Sequence, residues 1–208
     1  MHLLTLIFGI VLLHKAYTLK CNECTPGLSG TCTSTVKECP SQNYQCGTMR
    51  VISYSGNSIL ADLNEKRCAL PEECITVSLN FGLVKTKITS KCCTSDLCNT
   101  QPAPEPIKTI PNGKKCFGCN GQSCTSTVNC EGDEDHCISA TVNAGGVMTR
   151  LKGCASKEVC SSSDSELISS AIGGEFSCCQ GNYCNSGTST TAGLLLLLAP
   201  LINFIMFS

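Results

Sequence analysis

The sequence predicts an extracellular all-β protein that consists of two small disulfide-rich domains in tandem. Three observations support this fold class. The 208 residues include 20 cysteines, but only six phenylalanines, four tyrosines and no tryptophan. The cysteines form two sets with matching spacing, and short apolar segments separated by turn residues predict β-hairpins within each set. So many thiols are not expected in the reducing cytosol, which indicates that the folded part of the chain matures in an oxidising compartment.

The two cysteine sets follow one pattern. Each set opens with Cys-x-x-Cys and closes with Cys-Cys-x-x-x-x-Cys-Asn. The gap between the sixth and seventh cysteines holds five residues in both sets, and the next gap holds 17 in both. This agreement indicates an internal duplication. The first set is Cys21, Cys24, Cys32, Cys39, Cys46, Cys68, Cys74, Cys92, Cys93 and Cys98, and the second is Cys116, Cys119, Cys124, Cys130, Cys137, Cys154, Cys160, Cys178, Cys179 and Cys184.

The beginning of the sequence is typical of a signal peptide. Leu3–Leu13 is an apolar run that is too short to span a bilayer. The small residues Ala16 and Thr18 suit the positions that precede a cleavage before Leu19. We therefore predict that residues 1–18 are removed.

The end of the sequence is typical of a glycosylphosphatidylinositol (GPI) attachment signal. Small residues that start at Asn185 precede a polar spacer and an apolar tail of 14 residues. This order predicts an anchor on Asn185 and removal of residues 186–208, with Ser186 and Gly187 as alternative attachment residues. A membrane-spanning helix is the poorer interpretation, because it needs about 20 apolar residues.

These features divide the mature chain into two domains and a linker. The first domain is predicted over 19–100 and the second over 116–185. The linker, 101–115, contains four of the eight prolines, a composition that favours polyproline II and a semi-rigid spacer. Within the domains, apolar runs on both sides of turn residues predict hairpins at 47–63 and 138–151.

The ten-cysteine pattern and its terminal Cys-Cys-x-x-x-x-Cys-Asn resemble the LU domain of the lymphocyte-antigen and urokinase-receptor family. Asn99 and Asn185 match the asparagine of that motif. Spacing alone leaves the disulfide connectivity open. The resemblance implies three-finger domains, a class that includes snake toxins, with every cysteine paired. The implied pairs are Cys21–Cys46, Cys24–Cys32, Cys39–Cys68, Cys74–Cys92 and Cys93–Cys98, then Cys116–Cys137, Cys119–Cys124, Cys130–Cys154, Cys160–Cys178 and Cys179–Cys184.

Composition and motifs disfavour an enzyme, a metalloprotein and a nucleic-acid binder. The 15 basic and 16 acidic residues leave no positive excess for binding phosphates. His136 is the one histidine between the predicted end segments, and we expect it to be a solvated loop residue because its neighbour Cys137 is needed for a bridge. Behind a signal peptide, Cys-x-x-Cys pairs form disulfides rather than zinc sites. We therefore predict no catalytic residue, no cofactor and no metal ion.

Binding is the function that remains. A disulfide-bonded base presents loops at which recognition residues usually lie. The candidate loops are 54–59, 80–83, 143–148 and 161–172. Tyr54 and Phe81 are the predicted ligand contacts, because aromatic side chains are strong interface anchors, although either ring could instead pack on its own sheet.

The predicted function is a non-enzymatic receptor-like protein that is GPI-anchored on the extracellular face of the cell membrane. Its partner is expected to be an extracellular or membrane protein. The alternative is a secreted inhibitor of phospholipase A₂, because Pro111–Cys119 resembles the segment that enters the second domain of gamma-type phospholipase A₂ inhibitors. Adhesion through many weak contacts is a third hypothesis.

Overall fold

The computed structural model describes residues 17–26, 33–120, 123–144, 146–161 and 174–187. These residues form eleven β-strands and short 3₁₀ turns at Pro71–Glu73, Lys157–Cys160 and Cys184–Ser186. The all-β prediction is confirmed. Within the described ranges, no helix is long and apolar enough to cross a membrane. Most of the predicted signal peptide, most of the loop 161–172 and the predicted apolar tail lie outside those ranges.

The chain divides into two compact units. The first unit comprises Met1–Ser78 and Val84–Lys108, and the second comprises Leu79–Leu83 and Thr109–Ser208. The duplicated cysteine sets fall one in each unit. Each unit is described separately below.

The first unit contains two groups of antiparallel strands, one of two strands and one larger. β1 pairs with β2, while β4 pairs with β3 and β3 pairs with β6. The hairpin predicted at 47–63 is the pair β3–β4. The strands are β1 (Lys20–Glu23), β2 (Thr35–Glu38), β3 (Gln45–Ser55), β4 (Ser58–Ala69), β5 (Thr76–Asn80) and β6 (Val84–Cys93).

The second unit repeats this plan. β7 pairs with β8, and β9 lies between β10 and β11 with antiparallel pairing on both sides. The hairpin predicted at 138–151 is the pair β9–β10. The strands are β7 (Pro111–Asn120), β8 (Ser123–Glu131), β9 (His136–Ala144), β10 (Val147–Ala155) and β11 (Gly174–Cys179).

Disulfide sulfurs form the centre of each core. Cys21, Cys39 and Cys46 cluster in the first unit. Val128 is the one residue that is not a cysteine in the buried cluster of the second unit, beside Cys116, Cys130, Cys137 and Cys154. Domains of this size bury too little apolar surface to offset chain entropy comfortably, and covalent cross-links reduce the entropy of the unfolded chain.

The bridges in the structure join the same partners that the family resemblance implies. The implied pair Cys24–Cys32 cannot be compared, because Cys32 lies outside the described residues. No cysteine in the described ranges is free. The observed bridges are Cys21–Cys46, Cys39–Cys68, Cys74–Cys92, Cys93–Cys98, Cys116–Cys137, Cys119–Cys124, Cys130–Cys154, Cys160–Cys178 and Cys179–Cys184.

The first part of the predicted linker differs from a free spacer, because it packs on the first unit. Ala103 is 2% exposed, and Pro106 is the other covered residue between Gln101 and Lys108. This spacing of three suits polyproline II, which has three residues per turn. The Nζ atom of Lys87 donates a hydrogen bond to the carbonyl of Ile107 at 3.2 Å. We call residues 100–108 the strap.

The end of the predicted linker differs as well, because β7 begins at Pro111. Pro111 pairs with Glu131 and Lys115 with Asn129 across β8. Asn112 adds hydrogen bonds from its side-chain amide to the carbonyls of Gly132 and Glu134, at 2.9 and 3.1 Å. Residues 111–115 therefore belong to the sheet of the second unit.

The asparagine after the last cysteine holds each unit together. The side chain of Asn99 accepts a hydrogen bond from the amide of Asn22 at 2.9 Å and donates to the carbonyls of Asn22 and Gly47 at 2.8 and 3.0 Å. Asn185 repeats this pattern with the amide and carbonyl of Phe117 and the carbonyl of Ile138. Both asparagines are buried, at 3% and 5% exposure.

We expect Asn99→Ala to lower the free energy of unfolding of the first unit by about 3 kcal/mol, because it leaves buried backbone groups without partners. Chemical denaturation with the disulfides intact measures this change. Asn43→Ala, at an exposed position, is the matched control and is expected to change the free energy by less than about 0.5 kcal/mol. Equal effects of the two substitutions would contradict the role assigned to Asn99.

Candidate recognition surfaces

The β3–β4 hairpin carries the first candidate surface. Its turn contains Gly56, whose φ of 59° lies in the left-handed region that glycine adopts at little cost. Ser55 pairs with Ser58 and Tyr54 with Ile59, but Ser53 pairs with Ala61. Leu60 is therefore the extra residue of a β-bulge, a feature that changes the direction of a side chain near the end of a hairpin.

Aliphatic side chains are exposed at this end of the first unit. Ile59 is 56% exposed, Leu60 is 60% exposed, and Val84 on the neighbouring strand is 40% exposed. Val84 pairs with Ser55 and so lies beside the turn. We call Ile59, Leu60 and Val84 the first apolar fingertip. Several exposed apolar residues at the end of one hairpin are typical of sites of protein contact.

Tyr54 lies next to this fingertip, but its ring is half-buried. Burial raises the pKa of Tyr54 above its usual value, and the negative charge of Glu105 in the strap raises it further. Part of the ring therefore faces protein rather than solvent. Packing of the ring on its own sheet was the alternative to ligand contact in the sequence analysis. That Tyr54 binds a ligand stays a prediction.

A charged cluster holds the sheet behind Tyr54. Arg50 donates two hydrogen bonds to the carboxylate of Asp62, at 2.9 and 2.7 Å, and one of its terminal nitrogens lies 3.9 Å from Glu105. The hydrogen bonds from Arg50 hold the pKa of Asp62 below its usual value. This pair is built into the fold and leaves Arg50 engaged rather than available to a partner.

Phe81, the other predicted contact, is half-buried in the loop after β5. The loop belongs to the segment Leu79–Leu83, which is grouped with the second unit. Gly82 has a φ of 82°, and Leu83 is 67% exposed. Leu83 therefore presents more apolar surface to solvent than Phe81 does, and ligand contact by Phe81 stays a prediction.

The β9–β10 hairpin carries the corresponding surface of the second unit. The amide of Gly146 donates a hydrogen bond to the side chain of Asn143 at 2.8 Å, which stabilises the turn. Val147 and Met148 follow it, and each is 66% exposed. We call these two residues the second apolar fingertip. The remaining candidate loop, 161–172, lies outside the described residues apart from Ser161.

Sequence reasoning missed the aliphatic character of these surfaces because it favoured aromatic anchors. Leu60 and Val84 lie just outside the candidate loops, and Ile59, Leu83, Val147 and Met148 lie inside them but were not singled out. Their signal in the sequence is an apolar residue placed directly beside a Gly-containing turn. Such a residue has few neighbours from its own domain.

The prediction that His136 is a solvated loop residue is wrong. Its side chain is 11% exposed, with Nδ1 2.6 Å from the carboxylate of Asp135 and Nε2 3.0 Å from the amide of Gln180. His136 begins β9, so strand pairing and these two partners cover the ring. Both ring nitrogens are engaged in structural contacts.

Two groups of buried cysteine sulfurs lie close enough to resemble metal ligands. They are Cys21, Cys39 and Cys68 in the first unit, and Cys116, Cys130 and Cys154 in the second. All six sulfurs belong to disulfides. A metal ligand must be a thiolate, so these groups do not fit a zinc ion.

Two family models match most of the chain. The u-PAR/Ly-6 domain matches residues 17–101, and the model for snake toxins and toxin-like proteins matches residues 115–185. These matches confirm the predicted three-finger class in both cysteine sets.

Individual relatives agree with this assignment. The urokinase plasminogen activator surface receptor of Rattus norvegicus is 30% identical over 126 residues, which is 54% of this chain and 38% of the receptor. Phospholipase A2 inhibitor PIP of Malayopython reticulatus is 26% identical over 165 residues, which is 73% of this chain and 81% of the inhibitor. Protein Bouncer of Danio rerio is 36% identical over 100 residues, which is 44% of this chain and 79% of Bouncer.

The matched part of the chain spans only 38% and 33% of the length of the rat and mouse receptors. The similarity to these receptors therefore concerns domains and not the whole receptor. Bouncer, in contrast, is covered over most of its length at an identity above 30%. Together with the two domain matches and the repeated disulfide frame, this coverage fixes the family. The chain belongs to the u-PAR/Ly-6 family and carries two LU domains in tandem.

Proposed function

We propose that this protein is a non-enzymatic binding protein, held on the extracellular face of the cell membrane by a GPI anchor, that recognises a protein ligand through its fingertips. The observation that carries the proposal is the exposure of aliphatic side chains at the hairpin ends. Leu60 is 60% exposed, and Val147 and Met148 are 66% exposed. Isolated exposed apolar residues are ordinary, but in each unit these side chains lie at the end of a hairpin on a cross-linked base.

The physical basis for binding is pre-organisation. Each apolar fingertip ends an antiparallel hairpin whose base is fixed by disulfides, as at Cys46 on β3 and Cys137 on β9. Such a hairpin loses little conformational entropy on binding, so the apolar area that it buries contributes more fully to affinity. The relatives are described as a receptor and an inhibitor, which is consistent with binding rather than catalysis.

Attachment through lipid is the second part of the proposal. It rests on the small residues from Asn185 onward and the apolar tail that follows them. The protein's localisation then follows from a lipid in the outer leaflet. A secreted form is the alternative.

We expect phosphatidylinositol-specific phospholipase C to release the full chain, expressed with its own end segments, from intact mammalian cells. The enzyme cuts the lipid and leaves the polypeptide whole, so the released protein appears in the medium on an immunoblot. A version with an unrelated membrane-spanning helix after Gly187 is the control and should stay on the cells. Retention of the natural chain under the same treatment would contradict the anchor.

We expect Leu60→Asp in the first unit to weaken binding of the fluorescent two-domain protein to intact cells by at least about tenfold, because a charge cannot be buried cheaply in an apolar contact. Val147→Asp tests the second fingertip in the same way. Binding counts as specific when unlabelled protein competes with it and trypsin treatment of the cells removes it.

Val36→Asp is the matched control for both variants, because Val36 is also 60% exposed but belongs to β2, a strand that carries no fingertip residue. This variant should bind as the natural protein does. If all three variants bind equally well, the apolar fingertips are not the recognition surface.

Inhibition of phospholipase A₂ is the second candidate function. The observation that favours it is the match to the python inhibitor, which extends over 81% of that protein and 73% of this chain. We expect no inhibition under the primary proposal. Phospholipid hydrolysis by secreted phospholipases, measured with and without micromolar two-domain protein, decides between them. If the protein inhibits a phospholipase and Leu60→Asp or Val147→Asp abolishes that inhibition, the ligand of the fingertips is the phospholipase. The primary proposal of a cell-surface ligand would then be wrong.

A further inference from the structure

A buried lysine contacts the last described residues of the second unit. Lys152 on β10 is 4% exposed, and its Nζ atom donates hydrogen bonds to the carbonyls of Ser186 and Gly187 at 3.1 and 3.3 Å. Burial, together with the positive charge of Arg150, lowers the pKa of Lys152. A buried ammonium is costly without acceptors, so these two carbonyls matter to it.

A cavity of about 220 Å³ opens beside the same segment. Its lining includes Ser139, Ser177, Asn185 and Gly187. Ser139 pairs with Lys152 on one side and with Ser177 on the other, so the ammonium and two hydroxyl groups form one row across β10, β9 and β11. This row contains three hydrogen-bond donors and no carboxylate.

The neighbouring row contains charges of both signs. Arg150 pairs with Thr141, which pairs with Glu175 on β11. Both charged side chains are exposed. Arg150 is two residues from Lys152 and therefore on the same face of the strand, whereas Glu175 lies two strands away from it. The positive charges of these two rows therefore lie on β10, the strand whose Lys152 contacts Ser186 and Gly187.

The two carbonyls that accept hydrogen bonds from Lys152 belong to Ser186 and Gly187. These are the first two residues of the segment that attachment of an anchor to Asn185 would remove. In that reaction the amine of the glycolipid's ethanolamine phosphate forms an amide with the main-chain carbonyl of Asn185. The Asn185–Ser186 bond breaks, and residues 186–208 leave with a free amino group. The side chain of Asn185 takes no part, so its hydrogen bonds to Phe117 and Ile138 are kept.

The incoming group has the right length to replace the lost acceptors. Its nitrogen and two methylene carbons correspond to the nitrogen, Cα and carbonyl carbon of Ser186. Its ester oxygen corresponds to the nitrogen of Gly187, and the phosphorus to the Cα of Gly187. The two non-bridging oxygens of the phosphodiester, which share one negative charge, therefore fall in the region of the carbonyls that Lys152 now contacts. An ammonium–phosphate hydrogen bond is stronger than one to a neutral carbonyl.

We propose that in the anchored protein Lys152, assisted by Ser139 and Ser177, binds the phosphodiester of the anchor's ethanolamine phosphate. This inference rests on the proposed GPI anchor at Asn185. Ser186 and Gly187 would then occupy this site in the precursor, and the phosphate would occupy it after the anchor is attached. The lipid would be held against the second domain at its first charged group.

The test measures how fast acetic anhydride modifies Lys152 in the native protein. Three forms are compared: the full chain released from cells by phospholipase C, a secreted chain that ends at Asn185 and a secreted chain that ends at Gly187. Mass spectrometry quantifies acetylation of Lys152 relative to the exposed Lys157 in the same molecule. It also identifies the group attached to the last residue.

We expect Lys152 in the released form to react about tenfold more slowly than in the chain that ends at Asn185, and about as slowly as in the chain that ends at Gly187. The double variant Ser139→Ala/Ser177→Ala should raise the rate in the released form and leave it unchanged in the chain that ends at Gly187.

Equal rates in the released form and in the chain that ends at Asn185 would overturn the inference and leave the anchor intact. Ethanolamine phosphate on Ser186 or Gly187 would also overturn it, because Lys152 would keep a peptide carbonyl. In a further arm the full chain is acetylated on intact cells before release. Protection of Lys152 there that is absent in the released form would assign the phosphate to a membrane lipid and would also overturn the inference. A last residue without ethanolamine phosphate would contradict the proposed function as well.

Discussion

Covalent bonds between sulfurs at the base of each domain are the constraint on which the rest of the structure depends. In the first domain Cys21 and Cys46 are 0% exposed, and in the second Cys154 is 0% exposed. Around these atoms there is little of the aliphatic and aromatic packing that stabilises larger proteins. The bridges lower the conformational entropy of the unfolded chain. The hairpins therefore do not need a large hydrophobic core and can extend into solvent. Loops that would be mobile on an ordinary small domain are thereby held by fixed strands.

Asn99 and Asn185 complete this base. Each brings the end of its domain back to the first strand, where three hydrogen bonds from one side chain satisfy backbone groups that would otherwise be buried without partners. The repeated geometry explains why the motif ends in Cys-Asn rather than in cysteine alone. In the second domain Asn185 is also the proposed site of lipid attachment. Its side chain would then make the structural hydrogen bonds, while its main-chain carbonyl would carry the anchor.

The fold could be predicted from the sequence because its main determinants are local or covalent. The Gly56 turn between apolar runs was enough to place the β3–β4 hairpin, and the cysteine pattern identified both domains. The strap could not be predicted in the same way. Its prolines predict a local conformation, whereas its contacts with the first unit involve Lys87 and Arg50, which come from separate strands. The buried ring of His136 was missed for a similar reason, since Gln180 is 44 residues away in sequence.

The candidate surfaces were only partly predictable. Turn residues indicated which loops lie at the hairpin ends, but exposure there depends on what each side chain can reach. Tyr54 is half-buried against its own domain, whereas Leu60 sits at a bulge and is 60% exposed. Lys152 gave no signal at all, because lysine is seldom buried and its carbonyl partners lie 34 and 35 residues further along the chain.

The separation between sulfur core and exposed fingertips has a consequence for how such a protein diverges. Val147 and Met148 make little contact with the interior, so replacing them changes the free energy of unfolding only slightly. Gene duplication can therefore supply new copies whose tips drift toward different partners without loss of the folded scaffold. The two domains of this chain already present different residues at their hairpin ends on the same disulfide frame.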